Sequence, residues 1–300
     1  MKKHSISIVL SLLGVAVIFL GLVMAVTLFF INPSSGFSFS NKIGVIKITG
    51  AIVDSGPIVR QLEEFKEDRG IKAIILRIDS PGGGVGASQE IYTEVLKTKT
   101  IKKVIVSMGG VAASGGYYIA SAGDKIIANP GTITGSIGVL MEFIQVRELF
   151  QKIGVDLEVL KSGEFKDTGS PHREMTEREK ALMKALISEI QEQFIHAVAR
   201  GRGIPVEKVR EVADGRILSG ARAKELGLID YLGNFYDAVD HAKELSGITG
   251  DVRLVYPKKN RVRLWDILFQ NAAGSLFNAI TNSSNTRVEY KWSGFPSSWD

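Results

Sequence analysis

The spacing of hydrophobic positions changes along the chain, and the changes indicate the order of its elements. Residues 42–52 (KIGVIKITGAI), 71–79 (IKAIILRID) and 103–110 (KVIVSMGG) are apolar runs of strand length. Residues 56–70 and 86–98, which lie between these runs, carry apolar side chains at helical spacing. Continuous apolar runs that alternate with such helices are typical of parallel strands buried on both faces. The pattern therefore predicts an α/β fold with right-handed crossovers.

The alternation continues through the second half of the chain. Residues 125–140 predict two short strands around a Pro-Gly turn, residues 146–154 predict a helix, and residues 155–163 predict a further strand. Two final helices within residues 219–245 are expected to close the domain near Gly250.

A long helix is predicted from Thr176 to Arg200. It opens with Thr176 and Glu179 in the S/T-x-x-E spacing of a capping box, in which two side chains satisfy backbone N–H groups at the helix start. One face of the helix is apolar and fits either the domain core or a subunit interface. The side chains on this face are Leu182, Leu186, Ile190, Phe194 and Val198.

The N-terminal hydrophobic run is longer than any other in the chain. No charged residue occurs from Ser5 to Ile31, and this length exceeds the roughly 20 residues that a transmembrane helix needs. Lys2 and Lys3 precede the run, so the positive-inside rule keeps the N-terminus in the cytoplasm and everything after the run outside. A cleaved signal peptide is disfavoured because the run is too long and lacks a convincing cleavage site.

These patterns predict one membrane-anchored folded domain with a tail of uncertain role. Residues 261–280 of the tail mix Arg with Trp, Leu, Ile and Phe at near-helical spacing. They fit an interfacial helix, a contact with another subunit, or a helix docked on its own domain. The predicted regions are the anchor at residues 1–31, a linker at 32–41, the folded domain at 42–250 and the tail at 251–300.

Composition excludes several classes of function. The chain has no cysteine, which excludes disulfides, cysteine-ligated zinc and a cysteine nucleophile. The formal net charge is +5 and the isoelectric point is near 9.2, but basic residues are spread along the chain and mixed with acidic ones. This distribution does not indicate a nucleic-acid partner.

Two glycine-rich elements follow predicted strands, at residues 79–86 (DSPGGGVG) and 108–116 (MGGVAASGG). Sites in open α/β sheets form outside the carboxyl ends of strands. Neither element has the spacing of a phosphate-binding loop. Gly82 to Gly84 allow close backbone approach, so their N–H groups could form an oxyanion hole, although a plain tight turn is an alternative.

Ser114 in the second element is a candidate nucleophile, because a hydroxyl at a helix N-terminus lies beside backbone N–H groups that can stabilise an oxyanion. A simple helix cap is the alternative. None of the histidines (His4, His172, His196 and His241) has an evident catalytic partner, and Ala112 breaks the G-x-S-x-G pattern. Lys166 is a candidate base if burial lowers its pKa, although spacing alone does not distinguish it from other lysines.

Several motifs in this order resemble the signal peptide peptidase A family, in its short bacterial form with one catalytic domain per chain. The resemblance covers nearly all of residues 1–250 and rests on the N-terminal anchor and four segments. These segments are DSPGGG at 79–84, AASGGYYIASAGD at 112–124, NPGTITGSIGV at 129–139 and KSGEFKD at 161–167. It implies a fold like crotonase and Clp protease, built from repeated β-β-α units.

The resemblance also implies a mechanism. Ser114 would be the nucleophile and Lys166 the general base, with the Ser136 hydroxyl helping to hold the lysine amine. Backbone amides of Gly83 and Gly115 would form the oxyanion hole, and neither a metal nor a cofactor would be required.

The implied function is digestion of signal peptides left in the membrane after their release from exported proteins. Family members assemble as rings or domes, so the expected partners are hydrophobic peptides, membrane lipid and further copies of the chain. Two alternatives remain at this point: a non-catalytic membrane scaffold of the same fold, and an acyl-CoA enzyme of the crotonase type.

Overall fold

The computed structural model describes residues 14–24, 27, 41–257 and 288–291, the last of these as backbone only. Residues 14–24 and 27 belong to one unit, and the later described residues belong to another. Most of the predicted anchor, and the predicted amphipathic segment at 261–280, lie outside the described residues. Within those residues, no helix is both long enough and apolar enough to cross a bilayer.

The first unit contains a helix, α1, described over residues 14–24. Its large apolar side chains are exposed; Phe19 and Leu20, for example, have 67% and 73% of their surfaces accessible. Nothing in this helix is charged.

The second unit alternates strands and helices, which confirms the α/β class. Its helices are α2 (Gly56–Glu67), α3 (Val85–Lys99), α4 (Gly115–Ala120), α5 (Arg147–Lys152), α6 (Glu177–Arg202), α7 (Val206–Arg210), α8 (Gly220–Glu225) and α9 (Phe235–Leu245). Its strands are β1 (Lys42–Thr49), β2 (Ile71–Ser80), β3 (Gly82–Gly84), β4 (Lys103–Ala113), β5 (Lys125–Ala128), β6 (Ile133–Gly135), β7 (Leu140–Met141), β8 (Ile217–Ser219), β9 (Tyr231–Leu232), β10 (Arg253–Val255) and β11 (Val288–Lys291).

Most of the strands form one parallel sheet in the order β10-β1-β2-β4-β5-β9. The long strand β4 pairs with β5 through its first half and with β6 through its last three residues. Strand β8 then adds to β6 in the antiparallel direction. A second, small antiparallel sheet consists of β3, β11 and β7, in that order.

The main sheet is covered on both faces, as its continuous apolar runs predict. Alternate residues of β2 enter two separate core clusters: Ile74, Leu76 and Ile78 belong to one, and Ala73 and Ile75 to the other. The first cluster includes side chains of α2, α3, α4 and α6, and the second includes side chains of α9. These five of the ten residues of β2 are fully buried, so their side chains alternate between two dry layers.

The long helix, α6, begins one residue after Thr176 and forms the predicted capping box with Glu179. The prediction for its apolar face is only partly correct. Ile190, Phe194 and Val198 are buried, whereas Leu182 and Leu186 are 44% and 38% exposed. Only the C-terminal half of the helix therefore packs on the described core.

The strand predicted at residues 155–163 is wrong, because this segment contains neither helix nor strand. Its alternating apolar side chains, including Leu157, Val159 and Leu160, are exposed. Alternation makes a strand only where a neighbouring strand accepts its hydrogen bonds and a layer covers its apolar face. The main sheet also continues past Gly250, because β10 pairs with β1 at its edge.

Candidate active site

Ser114 lies at the junction between strand β4 and helix α4, where the backbone is strained. Its φ is 52° and its ψ is −117°, whereas non-glycine residues rarely adopt positive φ. The residue is 1% exposed, and its side chain does not cap the helix or form a hydrogen bond with another described residue. The helix-cap alternative is therefore wrong. A strained strand-to-helix turn also presents the nucleophile in α/β-hydrolases.

Strand pairing brings Ser136 beside Ser114. Ala113, the last residue of β4, lies opposite Gly135, the last residue of β6, so the two serines follow paired positions on parallel strands. The Ser114 N–H donates to the Gly135 carbonyl at 2.8 Å. Ser136 is also buried and also has positive φ, at 50°. The two hydroxyl-bearing residues thus leave the same sheet edge in the same unusual conformation.

Hydrogen bonds in the DSPGGG segment single out the Gly83 amide. The Gly82 N–H donates to the Ser80 hydroxyl at 3.1 Å, and the Gly84 N–H donates to the Ile52 carbonyl at 2.8 Å. Because successive residues of an extended strand direct their amides to opposite sides, the Gly83 N–H is directed away from Ile52. Among these three amides, that of Gly83 is therefore the one that can serve an oxyanion.

Gly115 lies against this segment. An ideal Cβ on Gly115 would lie 3.2 Å from the Gly83 nitrogen and 2.5 Å from the Ser88 hydroxyl. Helix α4 begins at Gly115, so its N–H has no carbonyl partner within the helix. The structure therefore brings together Ser114, Ser136, Gly83 and Gly115, while the roles expected of them stay predictions.

Two residues of this region were missed by the sequence analysis. The Asp79 carboxylate accepts a hydrogen bond from the Val111 N–H at 3.0 Å, across the irregularity in the pairing of β2 with β4 that precedes Ser114. Ser88 is fully buried, and its hydroxyl has no hydrogen-bond partner among the described residues. Asp79 stands inside a quoted motif, but nothing in the sequence distinguishes Ser88 from other helical serines.

Lys166 lies on an exposed loop. Its backbone N–H donates to the Gly163 carbonyl at 3.2 Å, which forms a local turn. Its side chain is exposed and forms no hydrogen bond or ion pair with another described residue. Within the described residues, Lys166 thus forms a hydrogen bond with neither Ser114 nor Ser136.

Ion pairs hold the loop on either side of Lys166. The Arg173 guanidinium donates to both oxygens of Asp167, at 2.8 and 2.7 Å, and also pairs with Glu179 at the start of α6. Hydrogen bonds from Arg173 and then from the Thr176 backbone lower the pKa of Glu179 to about 2. Those from Arg173 and then Lys161 also hold the pKa of Asp167 well below its usual range. Both carboxylates therefore stay charged at neutral pH.

No described histidine forms a hydrogen bond with Ser114. His172 contacts the Ser170 hydroxyl, and His241 pairs with Glu244 and stacks on Tyr231. Among the described residues, Ser114 therefore has no partner of the kind found in a Ser-His-Asp triad.

The family comparison decides between the enzyme classes. A model of peptidase family S49 matches residues 97–249, which include Ser114, Ser136 and Lys166. The chain belongs to peptidase family S49. A Clp protease model matches residues 41–132, which is consistent with the parallel-rich α/β sheet. The chain is thus a serine peptidase by family.

Individual relatives support the same class. A protein of Synechocystis sp., provisionally named a protease, is 46% identical over 216 residues, or 71% of this chain and 78% of the relative. A protein of Enterococcus faecium, provisionally named signal peptide peptidase SppA, is 35% identical over 231 residues, covering 72% and 67%. Protease 4 of Haemophilus influenzae is 36% identical over 219 residues, covering 70% of this chain but only 35% of the relative.

Proposed function

We propose that this S49 peptidase is a membrane-anchored endopeptidase that digests signal peptides left in the membrane, with Ser114 as nucleophile and Lys166 as general base. The observation that carries the proposal is the strained Ser114, whose hydroxyl forms no hydrogen bond with another described residue and which lies beside the Gly83 and Gly115 amides. These groups provide what acyl transfer needs: a free hydroxyl and N–H donors for the developing oxyanion.

The proposed chemistry is acyl transfer to serine. The Ser114 hydroxyl attacks the carbonyl carbon of a peptide bond while neutral Lys166 accepts its proton. Lys166 then gives the proton to the leaving amine, and water releases the acyl-enzyme by the same route in reverse. A neutral lysine at moderate pH requires burial, so Lys166 must leave its exposed position when the site is complete.

Two observations support a hydrophobic peptide in a membrane as the substrate. One relative carries the name signal peptide peptidase SppA. The second is the uncharged run from Ser5 to Ile31, whose described part forms helix α1 with its apolar side chains exposed. An anchor of this kind would hold the catalytic domain at the membrane surface outside the cytoplasm, where cleaved signal peptides remain.

We further propose that several copies assemble and that assembly buries Lys166. The segment before Lys166, which includes α5, and the first half of α6 expose many large apolar side chains, more than scattered surface positions explain. These include Ile144, Leu149, Ile153, Leu157, Leu160, Leu182 and Leu186. Covering this surface with another copy would remove water from the lysine and lower its pKa.

The test is hydrolysis of a hydrophobic fluorogenic peptide by the detergent-solubilised full chain. Ser114→Ala and Lys166→Ala should each lower kcat by about a thousandfold or more while circular dichroism stays unchanged. Lys152→Ala is the matched control, because Lys152 is also exposed and forms no ion pair with another described residue, and it should retain most activity. If Lys166→Ala stays active, the base assignment fails, and His172 becomes the next residue to change.

Mixing the two inactive variants tests how the site is assembled. Oligomers that contain both Ser114→Ala and Lys166→Ala chains recover activity only if one copy supplies serine and its neighbour supplies lysine. If no activity returns although mixed oligomers form, both groups belong to the same chain.

A further inference from the structure

We propose that Gln191, on helix α6, is a positioning residue for the peptidase reaction. Its side-chain amide holds the backbone turn that carries Ser136, and through Ser136 it keeps the amine of Lys166 in place. The proposal rests on the proposed function, because it concerns the hydroxyl that would hold the lysine. Nothing in the sequence pattern of α6 singles out Gln191.

The first step is the strain in the backbone at Ser136. Its φ is 50°, in the left-handed region that non-glycine residues rarely adopt, and Gly135 before it has a φ of 73°. A conformation of this kind costs free energy and persists only where surrounding contacts hold it. The Ser136 hydroxyl forms no hydrogen bond with another described residue, so its position depends on contacts of the main chain.

The second step is the segment that holds the turn from one side. The Ser136 N–H donates to the Arg216 carbonyl at 2.8 Å, and the Gly215 N–H donates to the Ile137 carbonyl at 3.1 Å. Both partners are exposed and come just before β8, a strand that joins the main sheet only through β6. The segment that holds the turn therefore needs an attachment of its own to the core.

Gln191 supplies that attachment. Its side-chain Nε2 donates to the Ile137 carbonyl at 3.2 Å and to the Ala213 carbonyl at 2.6 Å. Two carbonyl acceptors require the NH2 end of the amide, so they fix how the side chain is oriented. The helix is anchored at this point, because the preceding Ile190 is buried in the core. One side chain thus ties the turn and the exposed segment to a packed helix.

The other end of the Gln191 side chain indicates that stability is not its main role. The Oε1 atom is buried and has no hydrogen-bond partner among the described residues. Burial of an acceptor without a partner costs free energy, and this cost offsets part of what the two Nε2 bonds contribute. We therefore expect Gln191→Met, which keeps the length of the side chain, to shift the Tm by less than about 4 °C.

Hydrogen exchange tests the contact without depending on catalysis. In the full chain, the amides of Ser136 and Gly215 should exchange at least about tenfold faster in Gln191→Met than in the wild type. Gln193→Met is the matched control on the same helix, because the Gln193 side chain accepts only an exposed bond from Gln89. Its exchange at these amides should equal that of the wild type. Unchanged exchange in Gln191→Met would overturn the proposal.

Steady-state kinetics with the hydrophobic fluorogenic peptide provide the second measurement. Gln191→Met should lower kcat about tenfold and change KM less than twofold, because the substrate's own contacts are kept while a reacting group is misplaced. Gln193→Met should retain both values. A wild-type kcat in Gln191→Met would contradict the positioning role.

A double-variant cycle separates action through Ser136 from a general structural role. In a Ser136→Ala chain the hydroxyl is absent, so adding Gln191→Met should lower kcat by less than about twofold. A further tenfold loss would show that Gln191 does not act through Ser136. If Ser114→Ala or Ser136→Ala keeps full activity, the proposed function fails, whereas hydrogen exchange still decides whether Gln191 holds the turn.

Discussion

The sheet edge that carries Ser114 and the loop that carries Lys166 differ in burial and in the bonds that hold them. Ser114 and Ser136 are buried and fixed by strand pairing, with main-chain hydrogen bonds on both sides. Lys166 is exposed, and its loop is held through the side chains of Asp167, Arg173 and Glu179. The surroundings of the proposed nucleophile are therefore held within one chain, whereas the proposed base still needs to be buried.

The largest expected effect concerns the close backbone contact between Gly83 in β3 and Ile52. An ideal Cβ on Gly83 lies 2.2 Å from the Ile52 carbonyl oxygen, so one of the two backbone segments would have to shift. Gly83→Ala should lower the free energy of unfolding by about 3 kcal/mol, measured by urea denaturation. Gly84→Ala, with its nearest contact at 3.6 Å, should change it by less than about 1 kcal/mol. If the two substitutions lowered the free energy of unfolding equally, the contact between Gly83 and Ile52 would not be the cause.

A second substitution, beside Ser114, is expected to act on catalysis. Gly115→Ala brings a methyl group to 2.5 Å from the Ser88 hydroxyl and 3.2 Å from the Gly83 nitrogen. Displacement of either oxyanion amide should lower kcat about a hundredfold, measured with the fluorogenic peptide. Gly86→Ala, whose Cβ would meet nothing within 4 Å, is the control and should have little effect.

Ser88 makes the Gly115 prediction sharper. The Ser88 hydroxyl has no hydrogen-bond partner in the described part of the chain, so Ser88→Ala alone should hardly alter stability. Combined with Gly115→Ala it removes the nearest clashing atom, and kcat should recover at least about tenfold. If the kcat of the double variant is no higher than that of Gly115→Ala, contact with the Ser88 hydroxyl is not the cause of the loss.

The smallest expected effect concerns the loop. Arg173→Gln removes the cation that joins Asp167 to Glu179, so Lys166 should be positioned less well and kcat should fall about tenfold. Arg178→Gln removes an exposed pair with Glu164 and an exposed cation–π contact with the Phe165 ring, and should leave activity nearly unchanged. An equal loss in both variants would argue against a specific role for Arg173.

Arg173→Gln should also change how thermal stability depends on pH. Arg173 holds the folded-state pKa of Glu179 at about 2 and that of Asp167 below its usual range. Lowered pKa values contribute stability that is fully present above the unfolded values, near 4, and is lost as the pH falls toward the folded ones. The Tm of the wild type should therefore decrease more steeply from pH 6 to pH 3 than that of Arg173→Gln. If the two Tm curves run parallel, the ion pairs of Arg173 with Asp167 and Glu179 do not contribute pH-dependent stability.

Periodicity predicted most of the fold because the elements it concerns are covered by the core. The apolar runs became β1, β2 and β4, and Thr176 with Glu179 marked the start of α6. The same reasoning failed at residues 155–163, where alternating apolar side chains have no neighbouring strand. It also gave no sign of β11, because four residues of pairing depend on two partners more than 140 positions earlier in the chain.

The sequence by itself determined the α/β class, the resemblance to the signal peptide peptidase A family and the identity of the candidate residues, because local spacing and motif order contain that information. Only the tertiary structure decided that Ser114 and Ser136 leave paired strands side by side, that the Gly83 amide is directed away from Ile52, and that Lys166 is exposed in the single chain. The physical reason is that strand register and side-chain burial are set by contacts between distant segments, which no local pattern specifies.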